Sequence, residues 1–219
     1  MKNIFLYVCY LLLLIACRDK PAATKSIQEK PAVFSGAEEI TAAVGALLPA
    51  PHSFQLKQAT KWHDASGENW LVLYETGSYI QKPSTAASAQ LSAILYQKTD
   101  SGFVETWKYT DGVSECELDI TCSFYDNQLS VTDLDSNGVA EIIMVYALAC
   151  KGDVSGNEKK LVLYEGNQKY IMQGTETVIF GKDTLEKSEV SQSALAGAPV
   201  VLQNFVKSYW NRFGTQKYD

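Results

Sequence analysis

The period-two pattern of apolar residues over about 53–180 constrains the fold of this chain more than any other feature. Short alternating or wholly apolar segments are separated there by turn-forming Gly, Asn, Asp and Ser. Ile142–Ala149 is apolar on both faces, which predicts a central strand covered on both sides. Short turns such as 99–102 and 165–168 predict an antiparallel meander. The predicted strands are 70–74, 91–97, 103–110, 117–125, 129–132, 140–149, 160–164 and 169–173.

Helices are predicted before and after this β-region. Ser35 and Glu38 have the spacing of a capping box, and apolar residues behind them repeat at helical spacing. We therefore predict a short helix over 36–48. A wide apolar stripe over 201–213, ended by Gly214, predicts a longer C-terminal helix packed on the sheet; a helix lying on the membrane is the alternative. The expected fold is α+β, mainly antiparallel β, as a meander sandwich or an open barrel.

The N-terminus has the form of a secretory signal. Met1–Asn3 carries one basic residue, and Ile4–Ala16 is an apolar run too short to cross a bilayer, which needs about 20 residues. Cys17 follows the small residue Ala16, and this arrangement resembles a bacterial lipobox. The resemblance implies cleavage before Cys17 and attachment of lipids, for instance palmitate, to Cys17. An ordinary signal with an unrelated cysteine is the alternative.

The resulting organisation is a signal peptide over 1–16, a lipidated flexible tether over 17–34 and a single mostly-β domain over 35–219. The tether is rich in Pro, Ala and Lys and lacks periodicity. Arg18 is not the aspartate that retains lipoproteins at the inner membrane in some bacteria, so the expected location is the outer membrane, with its periplasmic or cell-surface face left open. The net charge of −6 argues against nucleic acid as a partner, and attachment to the membrane falls to the lipid anchor.

The stretch Asp133–Glu141 has oxygen donors at the spacing of a calcium-binding loop. Calcium takes six to eight oxygen ligands in a flexible cage, and Gly138 permits the sharp turn that gathers them. The candidate ligands are the side chains of Asp133, Asp135, Asn137 and Glu141 and the main-chain carbonyl of Val139. We therefore predict a structural Ca²⁺ ion.

This pattern differs from an EF-hand, because Met144 occupies the position of the bidentate glutamate and strands flank the loop. It resembles the strand-loop-strand DxDxDG calcium loops of FG-GAP and integrin-type repeats, and departs from them at Asn137 and Glu141, both of which can bind calcium. The alternative is a hairpin turn at Asn137-Gly138 in which the aspartates only cap backbone amides.

Three cysteines remain beyond the signal and Cys17, which predicts one disulfide and one free thiol in an exported domain. Cys150 is predicted to belong to the disulfide whichever of the other two cysteines is its partner. A simple meander places it beside Cys122, whereas Cys116 is the other candidate. Cys116 and Cys122 cannot bond to each other, since they lie about 20 Å apart on one extended strand.

Residues 115–174 carry, in order, TDLDxNGxAEI, a cysteine, GDVS, YE and KY. This series resembles a family of small bacterial outer-membrane lipoproteins linked by name to surface polysaccharide biosynthesis. Gly156 departs from it, because a proline is expected after the serine. The resemblance implies a cell-envelope role and a Cys116–Cys150 disulfide, and it supplies no catalytic residue.

Other candidate sites are weaker. Trp107 and Tyr109 belong to an alternating aromatic stripe that can stack on sugar rings, with core packing as the alternative. Asp153 follows the central strand and is a further candidate ligand-binding residue. Glu115, Glu117 and Asp119 alternate on one predicted strand; they suit a glycan hydrolase or simply a solvated sheet face.

The functional expectation is a non-catalytic envelope lipoprotein that supports surface polysaccharide biosynthesis or display. Its expected partners are the membrane, through the lipid anchor, and a surface polysaccharide or envelope protein. The alternatives are a surface module that binds a glycan or a protein and, less favoured, a glycan-acting hydrolase.

Overall fold

The computed structural model describes residues 34, 36–44, 47–48, 50–51 and 53–219. The predicted signal peptide, the lipidation site Cys17 and all of the predicted tether except Phe34 lie outside the described residues. Phe34 is half-buried and packs against the main hydrophobic core.

The first sheet is formed by the N-terminal strands and is antiparallel throughout. Its strands, in chain order, are β1 (Glu38–Glu39), β2 (Gln55–Asp64), β3 (Gly67–Glu75), β4 (Tyr79–Ile80), β5 (Ala87–Thr99) and β6 (Gly102–Cys116). A single helical turn, α1 (Thr41–Val44), lies between β1 and β2. Strands β1, β2, β3 and β5 lie side by side, and β5 also pairs with β4 and β6. The β2–β3 and β5–β6 turns are tight, and Gly67 and Gly102 take positive φ angles of 114° and 125° there.

The later strands form a second large sheet and a small third one. They are β7 (Asp119–Phe124), β8 (Ser130–Thr132), β9 (Glu141–Lys151), β10 (Glu158–Glu165), β11 (Gln168–Thr175), β12 (Thr177–Phe180), β13 (Asp183–Glu186), β14 (Val190–Ser193) and β15 (Thr215–Tyr218), with helix α2 (Val200–Trp210) between the last two. The second sheet has the order β14-β11-β10-β9-β7, and β8 also pairs with β9. The third sheet has the order β13-β12-β15, in which β12 and β15 run parallel.

The main core lies between the facing sides of the two large sheets. Along β9, Ile142, Met144 and Tyr146 belong to this core, whereas Ile143 and Val145 belong to a second cluster on the opposite side. A strand buried on both faces needs apolar residues at successive positions. The expectation of a central, doubly covered strand is therefore confirmed.

Helix α2 covers the outer side of the second sheet. Its buried residues Leu202, Val206, Tyr209 and Trp210 pack with Leu161 and its neighbours in the second cluster. Burial of each large apolar side chain contributes about 1.5–3 kcal/mol. Within the described residues, no helix combines the length and the apolar character that a bilayer-spanning segment requires.

The predicted N-terminal helix over 36–48 is not confirmed. Glu38–Glu39 forms strand β1, the Glu38 carboxylate lies 3.2 Å from Lys61 Nζ, and α1 covers a single turn. Ser35, the predicted cap, lies outside the described residues. The apolar stripe still finds a partner, because Ile40 and Val44 pack on the outer side of the first sheet. Pairing with β2 thus satisfies the backbone where a helix was expected.

The prediction of a mainly antiparallel β fold with few helices is confirmed. The sheets do not close into a barrel among the described residues. Strand β2 was not predicted, because its ten residues include charged and polar positions on both faces. The short strands β12 to β15 were not predicted either.

Candidate metal centre

The loop between β8 and β9 brings three carboxylates together. Asp133, Asp135 and Glu141 each offer one oxygen, and these oxygens all lie within 4.8 Å of one another. Glu141 is fully buried, and the two aspartates are half-buried. Oxygens bound to one calcium ion at 2.3–2.6 Å lie no more than about 5 Å apart. The spacing therefore suits three ligands of a single ion.

Hydrogen bonds within the loop hold these carboxylates in place. Leu134 N donates to both Glu141 oxygens, at 3.1 and 2.9 Å, and Thr132 Oγ1 donates to Glu141 Oε2 at 2.9 Å. Gly138 N donates to Asp133 Oδ2 at 3.2 Å. The φ angle of Gly138 is 84°, a conformation in which a side chain is strained. The capping role of the aspartates therefore coexists with the clustering of their oxygens.

One carboxylate oxygen in this cluster is left unpaired. Asp133 Oδ1 is buried and has no hydrogen-bond partner among the described residues. An unpaired buried acceptor costs about 1–3 kcal/mol, and more for a charged group. Burial raises the pKa of the Glu141 carboxyl, the bonds from Leu134 and Thr132 oppose this rise, and the Asp135 charge adds to it. A bound cation removes both costs.

A fourth carboxylate faces the same loop from the neighbouring strand. Glu165 pairs in register with Glu141, so both side chains lie on one side of the sheet. Asn137 Nδ2 donates to Glu165 and also to Asp135 Oδ2 at 3.1 Å. No ion pair of the described residues involves any of the four carboxylates. Glu165 was missed because its proximity depends on the β9–β10 register.

One of the predicted calcium ligands, the Asn137 side chain, is not directed at the cluster. Asn137 is exposed, and its Oδ1 accepts a hydrogen bond from Val139 N at 2.7 Å. Rotation of this amide is required before its oxygen can join the carboxylates. Val139 is half-buried, and its carbonyl remains a predicted ligand.

The β2–β3 hairpin of the first sheet supports the loop. Ala140 N donates to Asp64 Oδ2 at 3.1 Å, and Ala65 N donates to Gly138 O at 2.7 Å. Asp64 Oδ2 also accepts from Trp62 Nε1 at 2.9 Å. Burial alone would raise the pKa of Asp64, but hydrogen bonds from Ser66, Trp62 and Ala140 bring it below its usual value. The loop backbone is thus fixed to both large sheets.

The disulfide lies at the other end of β9. Cys116 at the end of β6 is bonded to Cys150, with their Cα atoms 5.7 Å apart, so the bridge joins the two large sheets. Cys122 is free and buried, and burial raises the pKa of its thiol to about 12. Cys122 faces Leu148 in register and Cys150 faces Ile120. Strand adjacency alone therefore favoured the wrong partner, whereas the pairing implied by the family resemblance is the one observed.

A register shift splits the predicted stripe, in which Phe103 and Glu105 were expected to alternate with Trp107 and Tyr109. Leu95 and Tyr96 pair with Trp107 and Glu105, respectively, which moves the intervening residue out of alternation. Phe103 consequently packs on the outer side of the first sheet. Trp107 instead stacks on Tyr164 in the main core, with ring centroids 4.0 Å apart, and Tyr109 OH hydrogen-bonds Tyr146 OH. These positions favour core packing over a sugar-stacking surface for Trp107 and Tyr109.

The predicted acidic strand is interrupted. Strand β6 ends at Cys116 and β7 begins at Asp119, and Glu115 has a φ of 50°. Glu115, Glu117 and Asp119 therefore do not share one strand face. Asp153 is exposed in the β9–β10 loop, where hydrogen bonds from Ser155 lower the pKa of its carboxyl.

No protein-family model matches the chain, and comparisons with the curated proteins and with the solved structures found no match either.

Proposed function

We propose that this chain is a non-catalytic outer-membrane lipoprotein, anchored through Cys17, whose Asp133–Glu141 loop binds a structural calcium ion. Its envelope role is to support surface polysaccharide biosynthesis or display. The observation that carries the calcium proposal is the cluster of three carboxylate oxygens within 4.8 Å, one residue of which has a buried, unpaired oxygen. The anchor rests on the lipobox resemblance, and the polysaccharide role rests on the resemblance over 115–174.

The position of the loop supports a structural rather than a catalytic ion. Glu141 is fully buried, and the loop backbone is bonded to the β2–β3 hairpin through Ala65 and Asp64. An ion held there neutralises buried negative charge on the outer side of the second sheet, in a loop whose backbone is bonded to the first sheet. Calcium binding is then expected to stabilise the whole domain.

The disulfide supports an envelope location. A bond between Cys116 and Cys150 persists in oxidising compartments and is rare where thiols are kept reduced. A lipid-anchored domain outside the cytoplasm is consistent with such a bond.

The test is a thermal melt of the purified full-length chain in detergent, in calcium and in chelator. At a calcium concentration near 100 times the dissociation constant, binding adds about 2.7 kcal/mol. For a domain of this size the melting temperature is expected to rise by roughly 5–10 °C. Asp135→Ala should abolish the rise, and Asp100→Ala, in the exposed β5–β6 turn, should retain it.

Equal melting temperatures in calcium and chelator for the wild-type chain would contradict the metal site. Magnesium provides a second control, because it demands a smaller octahedral site and should substitute poorly. The envelope role is tested separately by gene deletion. A changed surface polysaccharide profile supports it, whereas an unchanged profile with lost adhesion favours the alternative of a surface-binding module.

A further inference from the structure

A polar cleft lies at the end of β9 opposite the acidic loop. It has a volume of about 360 Å³ and is built from β7, the β9–β10 loop and β15. The lining side chains that matter are Asp119, Thr121, Lys151, Asp153, Asn157 and Tyr218. This volume lies within the range of small-molecule binding sites, about 300–1,000 Å³.

Part of the cleft lining is already fixed by hydrogen bonds. Lys151 Nζ donates to Ser155 O and lies 3.4 Å from Gln216 Oε1. Tyr218 OH donates to the same Gln216 oxygen at 2.6 Å, and Gln216 Nε2 donates to the buried carboxylate of Glu176. A ligand therefore meets an ordered surface rather than side chains that must first be immobilised.

Other side chains that line the cleft have unused hydrogen-bonding capacity. Asn157 is only 8% exposed, and its Oδ1 has no partner among the described residues. The side chains of Asp119 and Thr121 form no hydrogen bonds within the described part of the chain either. Both lie on one face of β7, because they are two positions apart, and Asp119 pairs in register with Lys151.

The charges of the cleft select the ligand class. Asp119 and Asp153 repel an anion, and the Lys151 ammonium opposes a metal ion. Carboxylate, amide and hydroxyl groups beside an aromatic ring instead match the hydroxyl groups and apolar faces of a sugar. We propose that this cleft binds a neutral saccharide, with Asp119, Thr121 and Asn157 bonding its hydroxyl groups and Tyr218 contacting a ring face.

A saccharide ligand would fit the envelope role proposed above. The proposal rests on that role only for where the protein meets its ligand, and not for the binding itself. The cleft and the acidic loop are separated by the length of β9, about 30 Å for its 11 residues. Saccharide binding is therefore expected in calcium and in chelator alike. If no saccharide binds, the thermal melt in calcium is still expected to show the shift. If calcium gives no shift, saccharide binding is still expected.

The experiment is a titration of the isotope-labelled full-length chain in detergent micelles, followed by two-dimensional amide spectra. The probes are maltose, isomaltose, cellobiose, lactose and diacetylchitobiose. We expect the Asn157 side-chain amide and the Thr121 main-chain amide to shift, with a dissociation constant on the order of 1 mM. Isomaltose and dextran share the same linkage, so their comparison distinguishes the two sources of the ligand. Binding of isomaltose alone indicates a free sugar, and binding of dextran indicates a polysaccharide chain.

Two variants locate the binding. Asp119→Ala and Asn157→Ala should each weaken binding about tenfold, which corresponds to about 1.4 kcal/mol. Thr121→Val, on the surface of β7, serves if Asn157→Ala fails to fold. Asp183→Ala, in the exposed β12–β13 hairpin, is the matched control and should bind as the wild type does. Absence of shifts with all of the neutral sugars, or shifts that survive both Asp119→Ala and Asn157→Ala, would overturn the proposal.

Discussion

Two fully buried charged side chains, Glu141 and Lys159, lie toward opposite ends of the β9–β10 pair, and their surroundings differ. Lys159 Nζ donates to Ser188 Oγ at 2.9 Å and to the carbonyls of Trp210 and Phe213 at 3.3 and 3.0 Å. Its ammonium also lies 4.0 Å from the centre of the Trp210 ring. Glu141 is instead surrounded by other carboxylates.

The two buried charges differ in how their surroundings compensate them. The carbonyls at the end of α2 carry partial negative charge and favour a cation, so the protein itself offsets part of the cost of burying the Lys159 charge. Among the described residues no cation pairs with Glu141, Asp133, Asp135 or Glu165. The partners of the first charge all lie within the chain, whereas the calcium ion proposed above would supply the missing partner of the second. The Cys116–Cys150 disulfide lies at the same end of the β9–β10 pair as Lys159.

The largest expected effect comes from removing that disulfide. The two cysteines are 34 positions apart, and closing a loop of this length is worth about 3–4 kcal/mol. Cys116→Ala combined with Cys150→Ala should lower the melting temperature by roughly 10 °C. Cys122→Ala is the control and should cost less, since it removes one small buried group. A larger loss for Cys122→Ala would argue that Cys122 belongs to the bridge.

Titration of Lys159 provides the second test. Burial lowers the pKa of its ammonium from 10.5 to about 8, and the Glu176 charge partly opposes this change. Between these values the unfolded chain holds the proton and the folded chain does not, so stability rises with pH. Relative to Lys159→Met, the wild-type chain should gain about 3 kcal/mol across this window. Denaturant unfolding of both chains at several pH values measures it; parallel pH profiles would contradict a lowered pKa.

Replacement of Glu141 should give the opposite result at the acidic loop. Glu141→Gln removes a buried charge that calcium is expected to compensate, and it keeps the shape of the side chain. In chelator this variant should be at least as stable as the wild type, and in calcium it should lack the wild-type gain of about 2.7 kcal/mol. Strong destabilisation in chelator would mean that the Leu134 and Thr132 bonds matter more than the buried charge.

Much of the β-structure could be predicted because its determinants are local. In β9 and in α2, the spacing of the apolar residues along the chain matches the faces that are buried. The acidic loop was visible for the same reason, since Asp133, Asp135 and Glu141 lie within one short segment.

Features that depend on contacts between distant segments could not be read in this way. Strand β1 forms because Glu38 and Glu39 pair with β2, which overrides a good capping sequence. The shift in β6 that separates Phe103 from Trp107 depends on its pairing with β5. The proximity of Glu165 to the loop depends on register, and the burial of Lys159 depends on where α2 ends.

The smallest expected effect concerns the packing around Lys159. Gly214 has a φ of 78°, and a Cβ there would lie 2.8 Å from Lys159 Cδ and 3.1 Å from Glu176 Cγ. Gly181 has a φ of 56° with nothing within 4 Å of the same position, so Gly181→Ala isolates the backbone strain, about 1 kcal/mol. Gly214→Ala should cost about 1 kcal/mol more, because the buried side chains must move apart. If denaturant unfolding gives equal losses of unfolding free energy for the two variants, the Lys159 side chain moves aside without cost. The contrast with the acidic loop would then rest on charge alone.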